Sequence, residues 1–121
     1  MSNNPVTNIS FSSLEELADG DTEFLADLYG EIINQFKEAR DNYTKMLPEQ
    51  DVEELRRIAH KVQPNIQSLD IDGLQAIFDV IKARLMNDDI LDATEVANYQ
   101  KQLHEGFTYC IEELDKQIAS F

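Results

Sequence analysis

The sequence predicts an all-α protein, an up-down-up-down antiparallel four-helix bundle with a short extra N-terminal helix. Three observations carry this expectation. Apolar residues recur every three or four positions along four long segments, polar linkers of a few residues separate those segments, and no segment alternates apolar with polar residues as a half-buried strand would. With 121 residues, 42% of them hydrophobic and 28% charged, the chain has the size and balance of one folded domain.

Residues 1–11 are polar and carry Pro5 and three asparagines, so they are read as a flexible arm, with residues 12–121 forming a single helical bundle domain. The pattern Ser13-Leu-Glu-Glu16 has the form of a capping box and opens a short helix that Gly20 stops. Asp21 or Thr22 starts the second helix, striped by Leu25, Leu28, Ile32, Phe36, Ala39, Tyr43 and Met46 and ended before Pro48, which cannot continue it. Asp51-Val-Glu-Glu54 opens the third, whose stripe is Val52, Leu55, Ala59, Val62, Ile66 and Leu69. Asp72 restarts the chain into the fourth, with Leu74, Ile77, Phe78, Ile81 and Leu85 on one face. Asp92-Ala-Thr-Glu95 opens the fifth, striped by Val96, Tyr99, Leu103, Phe107, Cys110, Leu114 and Ile118.

Composition excludes several function classes. A formal charge of −14, from 24 acidic and 10 basic residues, opposes binding to nucleic acid phosphates or anionic membranes. No apolar run approaches the roughly 20 residues that span a bilayer, and MSNNPVTNIS lacks the basic and apolar parts of a signal peptide, so a cytoplasmic location is expected. The single cysteine, Cys110, lies on a core stripe and is read as a buried thiol. There is no phosphate-binding glycine loop, no nucleophile elbow and no cysteine pair at zinc spacing. A di-metal bundle would use Glu-x-x-His pairs, but Arg57 and Lys101 occupy the positions three before the two histidines.

His60 stands apart. At 100° per residue it points roughly 130° away from the mean direction of the third helix's stripe, which places the imidazole in solvent. Arg56 and Arg57 precede it by one turn, Lys61 adjoins it, and Gln63, Pro64 and Gln67 follow on its side. Three bases within six residues make a local positive island in an acidic chain. An imidazole that is uncharged near neutrality is free to act as a nucleophile, and cations nearby would hold the oxygens of an accepted phosphoryl group. The plainer alternative is a surface histidine among surface bases. His104, near the edge of the fifth helix's stripe, has no comparable basic cluster in sequence and is read as structural. Pro64 removes the N–H that the His60 carbonyl would normally accept, so a bend or a bound water is expected there.

The stretch AHKVQPNIQSL, residues 59–69, resembles the phosphorylation segment of histidine-containing phosphotransfer (HPt) domains, in the variant that carries proline after the histidine. His60 matches the phosphoryl-accepting histidine, Val62 the apolar residue two later, and Leu69 the leucine near the motif's end. Gln63 stands where the family usually has lysine, Pro64 where it usually has glycine, and Asp70 where a second glycine is usual. The predicted helices over residues 12–120 extend the resemblance to the whole fold. It implies a phosphorelay intermediate without ATP-dependent kinase activity of its own. His60 would take a phosphoryl group from the receiver domain of a hybrid sensor histidine kinase and pass it to that of a response regulator. It further implies no cofactor on this chain, magnesium on the partner receiver, and a monomer. Arg56, Arg57, Lys61, Gln63, Pro64 and Gln67 would support the phosphoryl group or dock the partner, with Arg56 placed to offset the charge missing at Gln63. Two alternatives remain open: a pseudo-HPt module that docks on a receiver or kinase without carrying phosphate, and a helical adaptor in which His60 is incidental.

Overall fold

A computed structural model describes residues 4–121. The described chain is all-helical: α1 (Ser12–Ala18), α2 (Thr22–Met46), a single 3-10 turn at Leu47–Glu49, α3 (Val52–Ser68), α4 (Leu74–Met86) and α5 (Ala93–Ala119). None of these helices is long and apolar enough to cross a membrane.

Aspartates set three of the long-helix starts, as the sequence predicts. The Asp21 carboxylate accepts from Phe24 N at 2.9 Å, that of Asp51 from Glu54 N at 3.3 Å, and Asp92 with Glu95 completes a reciprocal capping box. Each satisfies backbone donors that a helix start leaves without partners. Pro48 ends α2 by opening the 3-10 turn. Gln50, in left-handed backbone, follows; its side-chain amide both donates to Leu91 O and accepts from Leu91 N at 2.8 Å, tying this corner to the α4–α5 linker.

α2 packs along α3 and α5, and α4 packs on α3 and α5. Gln35 and Glu38 of α2 meet Asn65 and Lys61 of α3, while Arg40 and Thr44 meet Thr108 and Gln100 of α5. Residue numbers rise on one helix as they fall on the other, so both pairs run antiparallel. Phe78 of α4 lies 4.7 Å from Tyr43 of α2 and 6.0 Å from Phe107 of α5, and Phe107 meets Phe36 edge-on at 5.4 Å. Close aromatic contacts of this kind add directional preference to burial. The α3 seam that closes the core is Leu55, Ile58, Val62 and Ile66. Ile58 is buried although it lies outside the predicted stripe, and Tyr29, Ile33 and Ile111 widen those of α2 and α5 in the same way, because these helices contact neighbours on two sides.

The structure corrects the sequence reading at three places in one region. Ser13 does not cap α1, which begins at Ser12 with Phe11 at the cap position and no side-chain cap bond. Asp72 does not cap α4. Its carboxylate accepts from Thr7 N at 2.7 Å, Asn8 N at 2.9 Å and the Thr7 hydroxyl. Residues 4–10, the described part of the expected flexible arm, lie along the α3–α4 turn as a strap. Ser10 N donates to Leu69 O, Asn8 Nδ2 to Asp70 O, and Val6 is buried; residues 1–3 lie outside the described residues. Two glycines make room for the strap. A Cβ on Gly73 would fall 2.2 Å from the Pro5 carbonyl oxygen, and one on Gly106, in the middle of α5, would fall 3.1 Å from the Pro5 ring. Gly73 also has φ +85°, a conformation that side-chain-bearing residues avoid.

Gly73→Ala should therefore destabilise the fold by about 2 kcal/mol, from backbone strain plus displacement of Pro5, measured by urea denaturation. The strap also predicts a pH effect. The Thr7 hydroxyl, then the Thr7 N–H, hold the Asp72 carboxyl below the usual carboxylate range. A depressed folded value means that the stabilisation is complete above the unfolded value of about 4 and is lost as pH falls through the folded one. Asp72→Asn should lower stability at pH 7 by about 1 kcal/mol, the small figure expected for exposed hydrogen bonds, and the gap to the wild type should narrow as the Asp72 carboxyl is protonated in acid.

Candidate functional site

The α3 seam points inward, and His60 is carried on the outer side of the same helix, exposed to solvent. α3 is continuous through Pro64 to Ser68, so the missing N–H does not end the helix; Ser68 Oγ donates to the Pro64 carbonyl at 2.8 Å one turn on. Beside His60 a groove of about 410 Å³ runs between α3 and α4. Val52, Arg56, Ala59, His60 and Gln63 line it from α3, and Gln75, Asp79 and Lys82 face them from α4. Tyr43 and Phe78 contribute its aromatic lining.

Of the residues singled out from sequence, the groove gathers His60, Arg56, Arg57 and Gln63, and it leaves out Lys61, Pro64 and Gln67, which are exposed elsewhere on α3. The expected positive island is not free. Arg56 pairs with Glu53 at 3.3 Å, Arg57 with both oxygens of Glu54, and Lys61 reaches Glu38 on α2 at 3.6 Å. The hydrogen bond from Arg57 holds the Glu54 carboxyl below its usual range. The acids that open α3 thus neutralise the bases one turn later, an interaction set by the three-residue spacing of a helix. The Arg56 and Lys61 pairs are single, exposed contacts for which an incoming anion can compete, whereas Arg57 grips Glu54 through both oxygens.

Gln75, Asp79 and Lys82 escaped the sequence reading. Their spacing of four and three marks one row of α4 beside its Leu74, Ile77, Phe78, Ile81 stripe, but only the register of α4 against α3 brings that row to His60. Gln75 Nε2 donates to Asp79 at 3.0 Å, while Gln75 Oε1 is buried and has no partner among the described residues. Lys82 has no carboxylate partner among the described residues.

His104 is also exposed, and here too the structure adds to the sequence reading. Lys45 of α2 joins Lys101 and His104 at a shallow depression between α2 and α5, a basic grouping that the order of residues in the chain hides. Cys110 is fully buried, and burial pushes its thiol up to about 12. No group of three or more His, Cys, Asp or Glu among the described residues is arranged to hold a metal ion.

Two reagents should separate these side chains. Diethyl pyrocarbonate should modify both His60 and His104 in the folded protein. Cys110 is shut away from solvent and its raised thiol stays protonated near neutrality, so iodoacetamide should alkylate it only after unfolding; mass spectrometry of digests reads both.

Comparison with protein-family models gave no match, and neither the curated proteins nor the solved structures yielded a match to this chain.

Proposed function

We propose that the protein is a phosphorelay intermediate in which His60 carries a phosphoryl group between receiver domains, on an up-down-up-down four-helix bundle with α1 beside it. The single observation that carries this reading is the placement of His60: exposed midway along α3, off the core seam, at the mouth of a groove lined by polar and charged groups. A histidine so placed is reachable by a partner's phosphoaspartate while the helix that holds it stays anchored by Leu55, Ile58, Val62 and Ile66.

In the proposed step an imidazole nitrogen attacks phosphorus in line. The N–P bond forms as the acyl P–O bond of the phosphoaspartate breaks, and the departing aspartate leaves as a carboxylate. The receiver supplies the metal site and the leaving group; this chain supplies the nucleophile and its position, which suffices where catalysis is mainly alignment and charge stabilisation. Onward transfer reverses the step on a second receiver's aspartate. Nothing in it calls for a cofactor on this chain, and we place the protein in the cytoplasm as a monomer.

A second reading has its own support. Gln63 is neutral and the arginines beside His60 are ion-paired, which favours a module that docks on a receiver or kinase without accepting phosphate. Incubation with a radiolabelled phospho-receiver distinguishes the two. Transfer should give acid-labile, base-stable label that persists in His104→Gln and disappears in His60→Gln. Binding to the receiver without label on His60 would establish the docking module instead.

A second variant pair reports on the neutralising acids. Glu53→Gln with Glu54→Gln should raise the rate of phosphoryl acceptance by roughly two- to fivefold by freeing both arginines, the range expected when exposed pairs are removed.

A further inference from the structure

One cation of the His60 groove, Lys82, has no carboxylate partner among the described residues. Arg56 and Arg57 are committed to Glu53 and Glu54 on their own helix, and Lys61 is turned to Glu38 of α2, outside the groove. Across the groove, Asp79 is engaged by the Gln75 amide at 3.0 Å. Lys82, one turn beyond Asp79 on α4, is the lining cation that has no carboxylate partner among the described residues. On α3, the lining position one turn after His60 is the neutral Gln63. The groove therefore places a nucleophile and an uncharged amide on the α3 wall, and on the α4 wall Asp79 held by Gln75 beside an ammonium with no carboxylate partner among the described residues.

We infer that Lys82 is the phosphoryl-binding cation of the site, reaching from α4 to the oxygens of phosphorylated His60 and supplying the charge that Gln63 does not. The inference rests on the reading of His60 as phosphoryl acceptor and adds a residue from a second helix to it. A phosphoryl group on imidazole carries close to two negative charges over three oxygens, and a lysine suits it as a point charge on a flexible stem with three donors. An arginine on α3 would first have to leave its glutamate, whereas Lys82 has no bond to break. Gln63 keeps an N–H donor for one oxygen while Lys82 brings the charge, so two helices share what one side chain would otherwise do. Holding the oxygens in their dianionic form disfavours loss of the phosphoryl group to water, in which charge leaves those oxygens.

The test loads the histidines chemically, without a receiver. Phosphoramidate transfers its phosphoryl group to imidazole as its own P–N bond breaks and ammonia departs. After its removal, the decay of phosphorylated His60 is followed by phosphorus NMR in a His104→Gln background. Lys82→Gln should shorten the lifetime of phosphorylated His60 by roughly two- to fivefold, Lys82→Arg should keep most of it, and Lys101→Gln, which removes a lysine of the α2–α5 depression that does not line the groove, should leave it unchanged. The difference should shrink at 1 M salt, where the screening length falls to about 3 Å. Equal lifetimes for wild type and Lys82→Gln overturn the inference, whether or not a receiver donates to His60. Equal losses from Lys82→Gln and Lys101→Gln overturn it too, because they would show a general effect of net charge. A lifetime difference without transfer from any receiver would remove the relay but uphold the role of Lys82.

Discussion

The aromatic contacts around Phe78 are the constraint on which the rest of the molecule depends. Tyr43 and Phe107 both pack on its ring, one from α2 early in the chain and one from α5, the next helix, so the three rings fix the rotation and height of α2, α4 and α5 together. α3 contributes no aromatic side chain to this cluster and closes it with branched aliphatic residues. That division leaves α3 free to turn its other side outward. The groove beside His60 follows from the same packing, since Tyr43 and Phe78, which line it, are members of the core cluster. A side chain that replaced Phe78 would act on the core and on the site at once.

Charge is distributed with a similar economy. All four arginines of the chain hold carboxylates, and the lysines left unpaired among the described residues are Lys37, Lys45, Lys82 and Lys101. Arg84 holds Asp89 and Glu95 together, which joins the end of α4 to the start of α5. The planar fork of an arginine suits such fixed links, and the mobile ammonium of a lysine suits contacts that form and break. In a chain of net charge −14, a lysine without a carboxylate partner among the described residues is one that an incoming anion can engage without displacing an acid.

Much of the fold was legible in the sequence because its signals are local. Asp21, Asp51 and Asp92 act within their own first turns, and helical periodicity alone placed His60 on the outside. The errors arise where a residue with a local role available to it takes a distant partner. Asp72 has the sequence context of a cap, yet Thr7 and Asn8, more than sixty residues earlier, take its carboxylate. Ser13 has the capping pattern, but Phe11 and Ser10, held by the strap, set where α1 begins. The candidate site divides along the same line. His60, Gln63 and the α3 bases were visible as one helix face, whereas Gln75, Asp79 and Lys82 belong to the site only through the register of two helices, which no window along the chain contains. The glutamates that pair with Arg56 and Arg57 were visible as a helix start, and the sequence reading assigned them that use alone.

Gly106 shows how far the strap's influence reaches. A glycine in the middle of a 27-residue helix weakens that helix by roughly 1 kcal/mol relative to alanine, and α5 gains nothing of its own from it. What the glycine provides is room for Leu74 of α4 and for the Pro5 ring, so part of the intrinsic stability of α5 is given up to seat α4 together with a segment that precedes every helix. The boundary of the folded unit accordingly lies upstream of α1. Helical content would place it at residue 12, whereas the buried Val6 and the Pro5 ring beside Gly106 carry it into the strap. A comparison of this chain with others by their helices alone would omit a segment that joins α5 to the turn ending the His60 helix.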